Sequence, residues 1–266
     1  PLIKRPLTDD EIEAGAEPDA RPVAVGEVEI RAIERALNST SMDAARAVLA
    51  PQQLAVGVSN GTSTLVHGIR LGLELNPLHV VVKLDLANGF NATSRADLLR
   101  RMTHHPGLRH LVPFLHACLS APTDLLVGHM FERLFQGLDR GGSSEGTQQG
   151  RALSGMAFCV AIHPELVALD EELRPFGGFA RAYMDDGYAV GPPSEVFAAV
   201  QRFAARLHRM TGLEVQPSKL ECWSPASDMT TCPWREQAQV PVGRVPYAPG
   251  HPRAGQTAGY GILVAG

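Results

Sequence analysis

The chain has 266 residues, of which 44% are hydrophobic and 20% charged, and its formal net charge is −4. This composition is ordinary for a globular protein, and the length allows one large domain or two small ones to bury a core. The acidic balance argues against a free-standing nucleic-acid-binding protein, and no apolar run approaches the roughly 18 residues of a membrane-spanning helix.

The two ends of the sequence look internal to a longer protein. The chain starts at Pro1 instead of Met and ends in GILVAG, which has the pattern of a strand interior, so we expect a fragment. No secretory signal opens it. The four cysteines show no paired C-x-x-C spacing, which predicts free thiols instead of a zinc site. We therefore expect an intracellular protein, in either the nucleus or the cytoplasm.

The first half of the sequence predicts a helix, a strand and a second helix. Helical periodicity begins at Gly26. The predicted apolar face of that helix consists of Val28, Ile30, Ile33 and Leu37. The β-branched run PLHVVVKLDL at 77–86 predicts a buried strand. In the following helix, Ser94 stands at the N-cap, with Asp97 at the capping-box position.

The second half predicts a loop at 140–150, a long buried helix from 151 onward and a strand–turn–strand around AYMDDGYAV. An amphipathic helix follows, with Ser194 as its N-cap and Gly212 as its stop. Strands and helices interleave without strict alternation. This order predicts an α+β fold in which a mixed antiparallel sheet is backed by helices.

Three carboxylates lie at the ends of predicted strands: Asp85, Asp185 and Asp186. Asp-Asp-Gly is good turn chemistry, so a purely structural role would explain the last two. If the strands are neighbours, however, the three carboxylates converge at one edge of the sheet. Oxygen donors without His or Cys partners suit Mg²⁺, and a pair of such ions can stabilise both oxygens of a phosphoryl transfer.

Successive segments resemble, in sequence and order, the motifs of a reverse transcriptase, most closely those of non-LTR retrotransposons. The segments are RPVAVGEV, VVVKLDLANGFN, GTQQGRALSGMAF, AYMDDGYAV, GLEVQPSKLECW and GILVAG. The resemblance implies the palm of a right-hand polymerase with fingers. It places the N-terminal part of the fingers at 1–78 and the palm at 79–266, with an inserted helical or finger segment at about 103–145 and no thumb.

The resemblance also implies which residues carry the chemistry. Asp85 and Asp185 correspond to the metal-binding pair, and Asp186 is the third carboxylate of the YMDD motif. Leu86 would offer its backbone carbonyl to a metal. Lys219 corresponds to a lysine near the leaving pyrophosphate. The implied cofactor is a pair of Mg²⁺ ions, with Mn²⁺ as an alternative.

The same resemblance implies a nucleotide site. Phe90 matches the aromatic gate that excludes a 2′-hydroxyl. Gln149 and Gly150 match the loop that packs against nucleotide and template, and a glycine permits close backbone approach there. Arg21 corresponds to the finger cation on the triphosphate, with Lys4 assisting, since a guanidinium binds phosphate oxygens bidentately.

The function implied is an RNA-directed DNA polymerase whose partners are an RNA template, a DNA primer and dNTPs, with no membrane. The thumb and flanking endonuclease or nucleic-acid-binding domains would be missing from this fragment. After Gly150 the family's acidic residue and proline are replaced by Arg151 and Ala152. This departure supports an alternative, a catalytically degenerate remnant that serves as a nucleic-acid-binding scaffold. An RNA-directed RNA polymerase is disfavoured by Phe90.

Overall fold

The structure is a computed structural model, and it describes residues 2–3, 8, 20–21, 27–121, 123–124, 142–143, 145–227 and 232–234. Lys4 and the C-terminal GILVAG segment lie outside these residues. The strands are β1 Leu2–Ile3, β2 Ala20–Arg21, β3 Val80–Leu84, β4 Thr123–Asp124, β5 Gly142–Ser143, β6 Phe179–Tyr183, β7 Asp186–Gly191 and β8 Glu221–Trp223. The α-helices are α1 Val28–Leu49, α2 Gly61–Leu75, α3 Gly89–Ala92, α4 Arg95–His104, α5 Val112–Leu119, α6 Ser154–Leu173 and α7 Pro193–Thr211. Short 3₁₀ turns lie at Arg109–Leu111, Arg174–Phe176 and Pro217–Lys219.

Within the described residues, the main sheet has four strands in the order β6-β7-β3-β8. All three strand pairs in it are antiparallel. The strand predicted at 77–86 is thus a central strand of the sheet, and the predicted strand–turn–strand is the β6–β7 hairpin beside it. The predicted α+β class with an antiparallel sheet is confirmed.

The two faces of the sheet bury separate apolar clusters. Alternate residues of β3, such as Val80 and Val82, face the larger cluster, which α6 and α7 cover. Val81 and the β7 residue Tyr188 face a smaller cluster, which includes residues of α2. Because side chains alternate along a strand, the cross-strand partners Val81 and Val190 belong to the same face, as their register requires. The sheet is therefore a middle layer with helices on both sides.

The helix that begins near Gly26 is confirmed as α1, but its predicted apolar face is only partly right: Leu37 packs against the larger cluster, whereas two other members are exposed. Val28 is 74% exposed and Ile33 is 46% exposed. The buried side chains include the polar Glu34 and Ser41. Glu34 is buried because it pairs with Arg151, which is distant in the sequence. The side of α1 that points to the interior is therefore determined by polar contacts as well as by hydrophobicity.

The predicted helix ends agree with the structure in two of three cases. The Ser94 side chain accepts a hydrogen bond from the Asp97 N–H, which confirms this N-cap of α4. Gly212 ends α7 with φ of 75°, as predicted. The Ser194 N-cap is wrong, because α7 already begins at Pro193, whose fixed φ suits the first helical position.

The four cysteines all lie among the described residues and are free thiols, as predicted. Over the described part of the chain, we find no helix with the length and apolar character that crossing a membrane requires.

Candidate active site

The YMDD segment forms the tip of the β6–β7 hairpin. Tyr183 pairs with Asp186, which leaves Met184 and Asp185 as the two turn residues. Met184 has φ of 57°, in the left-handed region that the first central position of a tight hairpin turn needs. A non-glycine residue in this region costs about 1–2 kcal/mol, so the surrounding structure must stabilise it.

Asp85 lies beside this hairpin tip. The register of β3 with β7 ends at Leu84 opposite Gly187, and the next residues along the two strands are Asp85 and Asp186. Residues directly opposite in an antiparallel pair point to the same face of the sheet. Two carboxylates separated by about a hundred residues in sequence are thus neighbours at one end of the sheet.

Lys219 contacts Asp85 directly. Its Nζ lies 3.4 Å from Asp85 Oδ1, and the two side chains are 47% and 28% exposed. The Gln216 N–H donates to the Asp85 carbonyl at 2.9 Å, and the Pro217–Lys219 turn then brings the lysine back over the carboxylate. The ammonium group supplies a positive charge beside Asp85.

The Leu86 carbonyl keeps an orientation that could serve a ligand. Leu86 and Val215 form an isolated antiparallel bridge, whose hydrogen bonds are made by the residues on either side, such as Ala87 N–H to Glu214 O at 2.8 Å. In such a non-hydrogen-bonded pair the groups of Leu86 itself point away from the partner segment. The bridge therefore does not use the Leu86 carbonyl.

The carboxylates impose a negative field on their surroundings. Burial, and then the nearby Asp185 carboxylate, raise the pKa of the Cys159 thiol on α6. Burial, and then Asp186, raise the pKa of the Tyr188 hydroxyl on β7. Both groups stay protonated at neutral pH. Cys159 is thus an uncharged core side chain and not a reactive thiolate.

The donors at this end of the sheet fit a hard cation in their chemistry. Carboxylate and carbonyl oxygens are the ligands that Mg²⁺ and Mn²⁺ take, and no His or Cys ligand is needed. Within the described residues, no group of three or more His, Cys, Asp or Glu side chains is arranged to hold a metal ion. The convergence of all three carboxylates therefore stays a prediction, and the observed basis for it is the last register pair, Leu84 opposite Gly187, which Asp85 and Asp186 follow directly.

Phe90 follows β3 in the chain and is held in place by ring stacking and by a backbone hydrogen bond. It is half-buried, and its ring stacks on Phe158 of α6 with centroids 4.5 Å apart and planes at 23°. The Phe90 carbonyl accepts a hydrogen bond from the Thr147 N–H at 2.7 Å. The ring and the backbone of Phe90 are thus both held, on α3, six residues after the end of β3.

The loop that carries Gln149 and Gly150 is attached to the Phe90 segment. The Gly146 N–H donates to Thr93 O at 2.9 Å, and Gly146 has φ of 65°. A Cβ at Gly146 would lie 2.3 Å from the Phe90 carbonyl oxygen, so only glycine fits there. Gln149 is half-buried, and Gly150 is exposed with φ of 100°. The loop is thus attached to the Phe90 segment through Gly146 and Thr147, and the roles of Gln149 and Gly150 stay predictions.

Arg151, the residue that departs from the family pattern, has a buried partner. Its Nε donates to Glu34 Oε1 at 2.7 Å, and the Ala152 N–H donates to Glu34 Oε2 at 3.3 Å. Burial alone would lower the pKa of Arg151, but the bond to Glu34 raises it above its ordinary value. The Arg151-Ala152 pair therefore anchors the loop to α1.

Of the two residues predicted to bind the triphosphate, Arg21 and Lys4, the structure describes only the first. Arg21 is described through its backbone, which pairs with Leu2 in the β1–β2 ribbon. Lys4 lies outside the described residues.

Sequence analysis missed one residue at the hairpin tip, Gln53. It lies between α1 and α2, is fully buried, and its side chain makes hydrogen bonds to both backbone groups of Met184. It belongs to no periodic segment, and its partner is 131 residues away, so the sequence offers no pattern that identifies it.

Comparison with known proteins agrees with the motif order. The profile of the family described as "Reverse transcriptase (RNA-dependent DNA polymerase)" matches residues 13–242. No curated protein sequence matches the chain. Among solved structures, apo telomerase from Candida tropicalis is similar with a TM-score of 0.51 and 11% identity, over 73% of this chain and 36% of that one.

Telomerase from the same organism, in complex with the TWJ fragment of telomeric RNA, is similar with a TM-score of 0.50 and 12% identity. That match covers 71% of this chain and 33% of the telomerase chain. The chain thus spans about a third of the length of the telomerases it matches, and at this identity the likeness concerns the fold alone.

Proposed function

The chain belongs to the reverse transcriptase family, and from that premise we propose that it is the catalytic core of an RNA-directed DNA polymerase acting by a two-metal mechanism. The observation that supports the proposal is the last register pair of β3 with β7, Leu84 opposite Gly187, after which Asp85 and Asp186 are the next residues along the two strands. A turn aspartate with a purely structural role needs no second carboxylate on the neighbouring strand.

In the proposed reaction, the 3′-oxygen of a DNA primer attacks the α-phosphate of a dNTP and pyrophosphate leaves. Asp85, Asp185 and Asp186, with the Leu86 carbonyl, would hold two Mg²⁺ ions, or Mn²⁺ as the alternative. When bound, such a pair stabilises the attacking and the leaving oxygens. The chain's own contribution is positioning and charge neutralisation, which dominate phosphoryl-transfer catalysis.

Lys219 would neutralise or protonate the leaving pyrophosphate. Its support is the 3.4 Å contact between Lys219 Nζ and Asp85 Oδ1. An ammonium with three rotatable donors can exchange a carboxylate oxygen for a phosphate oxygen without a change of backbone.

Phe90 would select dNTPs by contact with the sugar, and Gln149 with Gly150 would line the nucleotide and template. The support is the set of bonds that fixes Phe90 and this loop to each other. Arg21 and Lys4 would bind the triphosphate; for these two the support is the family resemblance alone.

The proposed organisation is the N-terminal part of the fingers at 1–78 and a palm at 79–266, with an inserted segment at about 103–145. RNA template and DNA primer are the proposed partners, and the proposed origin is a retrotransposon-like element. Because the chain carries a net charge of −4, we propose that a thumb and nucleic-acid-binding or endonuclease domains supply most of the phosphate contacts.

The proposal is tested with Asp185→Asn, which keeps the shape of the side chain and removes its charge. We expect Mg²⁺-dependent incorporation of dTTP on poly(rA)/oligo(dT) by the parent protein, and a loss of at least about 10²-fold in the variant, the scale of removing one electrostatic stabiliser of a transition state. Primer extension in a quenched time course measures both rates.

The matched control is Asp43→Asn on α1, whose carboxylate is 97% exposed and pairs only weakly with Arg46 at 3.8 Å. This control should keep the parent's rate. Equal rates for Asp185→Asn and the parent would show that the carboxylate has no catalytic role. A parent that binds the hybrid and incorporates no nucleotide would support the degenerate scaffold instead.

A further inference from the structure

We infer that Gln53 is a positioning residue that fixes the YMDD hairpin tip, and with it Asp185 and Asp186, in the geometry the reaction needs. The inference rests on the proposed function for its catalytic consequence. Its structural part concerns only the contact between Gln53 and Met184, and can be measured without any turnover.

The contact is a reciprocal pair of hydrogen bonds to one residue. Gln53 Nε2 donates to the Met184 carbonyl at 3.0 Å, and Gln53 Oε1 accepts from the Met184 N–H at 2.9 Å. The same Oε1 accepts from the Ala55 N–H at 3.3 Å. The reversed amide would set its NH₂ group against two N–H donors, so these contacts assign the orientation of the side chain. We call this pair of bonds to Met184 the Gln53 clamp.

The clamp acts on the one non-glycine residue of the hairpin that has a left-handed backbone. Met184 has φ of 57°, and such a conformation persists only where the surroundings enforce it. The Met184 side chain adds a second hold, since it lies over Gly155 and its sulfur is 3.7 Å from Cys159 Sγ on α6. Backbone and side chain of Met184 are therefore held from two different elements.

The backbone on either side of Gln53 is itself fixed to the hairpin. The Ala182 N–H donates to Gln52 O at 2.7 Å, and the Leu54 N–H donates to Ala182 O at 2.8 Å. These bonds form a short parallel bridge between Gln53 and Ala182, two residues before Met184. The backbone around Gln53 is thus tied to β6 by two hydrogen bonds, and this holds the clamp in position.

The clamp determines the orientation of Asp185 through the peptide group that the two residues share. The Met184 carbonyl bonded by Gln53 belongs to the peptide that links Met184 to Asp185. Rotation of that peptide would redirect the Asp185 side chain and alter where β7 begins at Asp186. Gln53 touches neither carboxylate, so it acts on the reaction only through the hairpin.

Gln52 provides a matched control in the adjacent position. It is also a buried glutamine, and its Nε2 donates to Asp170 Oδ2 at 2.9 Å, away from the hairpin tip. Asp170 keeps other donors when Gln52 is replaced, including Arg181 Nη1 at 2.7 Å and the Ala180 N–H at 2.9 Å. Substitution of Gln52 therefore removes a buried hydrogen bond and leaves the Met184 contacts intact.

The test compares Gln53→Met with Gln52→Met, since methionine fills a similar volume without an amide. Hydrogen exchange of the peptide that contains residues 183–186 is followed by mass spectrometry, and dNTP incorporation is measured on the same preparations. We expect faster exchange of the Met184 amide in Gln53→Met only. We also expect kcat to fall by about 10²-fold, the scale of a misplacement of about 1 Å, while KM for dNTP changes much less.

Gln53→Ala is the second variant, measured at a temperature where circular dichroism shows it folded. Unchanged exchange at Met184 in the folded Gln53 variants, or an equal loss of kcat in Gln52→Met, would overturn the inference, because a purely structural role affects both positions alike. If the parent incorporates no nucleotide while the Met184 amide responds to Gln53 alone, the clamp stands and the proposed function falls.

Discussion

At the scale of single residues, Phe90 gives a sharp prediction about substrate choice. Its ring stacks on Phe158 and its carbonyl accepts a hydrogen bond from the Thr147 N–H, so the residue that we propose as the sugar gate is fixed in place. Phe90→Val removes most of the ring, and we expect the ratio of kcat/KM for dTTP over UTP to fall by about 10- to 200-fold, the range a hydrophobic pocket can discriminate. Competitive primer extension measures this ratio.

The ratio serves as its own control, because loss of the stack with Phe158 affects folding and therefore both substrates equally. A ratio that stays at the parent's value while total activity falls would assign Phe90 a packing role only.

Which site residues the sequence identifies depends on how they are fixed. Asp85, Asp185 and Phe90 follow strands or a turn whose patterns are local, so their neighbourhood could be predicted from motif order. Gln53 could not be predicted from the sequence, because a single buried amide that bonds to a distant backbone produces no periodic pattern. The left-handed φ of Met184 could not be predicted either, since the tight turn enforces it in a residue type that disfavours it.

At the scale of elements, the strongest link between α4 and α6 is a buried bidentate ion pair. Arg101 Nη1 and Nη2 donate to the two oxygens of Glu165 at 2.7 and 2.9 Å. We expect Arg101→Met to lower the free energy of unfolding by about 3–5 kcal/mol, because it leaves Glu165 as an uncompensated buried charge. Urea denaturation followed by circular dichroism measures this change.

The neighbouring Arg100 is the control. It pairs with Asp97 at 2.7 Å on the exposed side of α4, where such pairs contribute about 0–1 kcal/mol. Arg100→Met should therefore leave the free energy of unfolding nearly unchanged. Similar losses for the two variants would mean that burial of the Arg101 pair does not determine its importance.

Element types could be predicted from the sequence better than element faces. The strand of β-branched residues and the long apolar helix are confirmed as β3 and α6, since their patterns are continuous. The face of α1 was only partly right because Glu34 is buried by a partner 117 residues away, which local hydrophobicity cannot reveal. The start of α7 was wrong by two residues, because the helix begins at Pro193 with Pro192 as its N-cap, before the serine that resembles a cap.

At the scale of the whole molecule, the net charge of −4 predicts weak nucleic-acid binding by this chain alone. We expect a dissociation constant of about 10⁻⁶ to 10⁻⁴ M for an RNA/DNA primer–template at physiological salt, the range of sequence-independent phosphate binding. Fluorescence anisotropy of a labelled hybrid, titrated at several salt concentrations, measures it. A nanomolar constant that does not change with salt would show that recognition does not depend on phosphate charge.

The bonds of residues 52–54 to Ala182 have a consequence beyond the hairpin tip. β6 is an outer strand of the four-stranded sheet, and an outer strand with free amide and carbonyl groups can recruit a strand from another molecule. Where Gln52 and Leu54 bond to both backbone groups of Ala182, that position is already taken. The segment at residues 52–54 thereby also blocks this part of the strand against intermolecular β-pairing, so loosening its backbone bonds to Ala182 would favour aggregation.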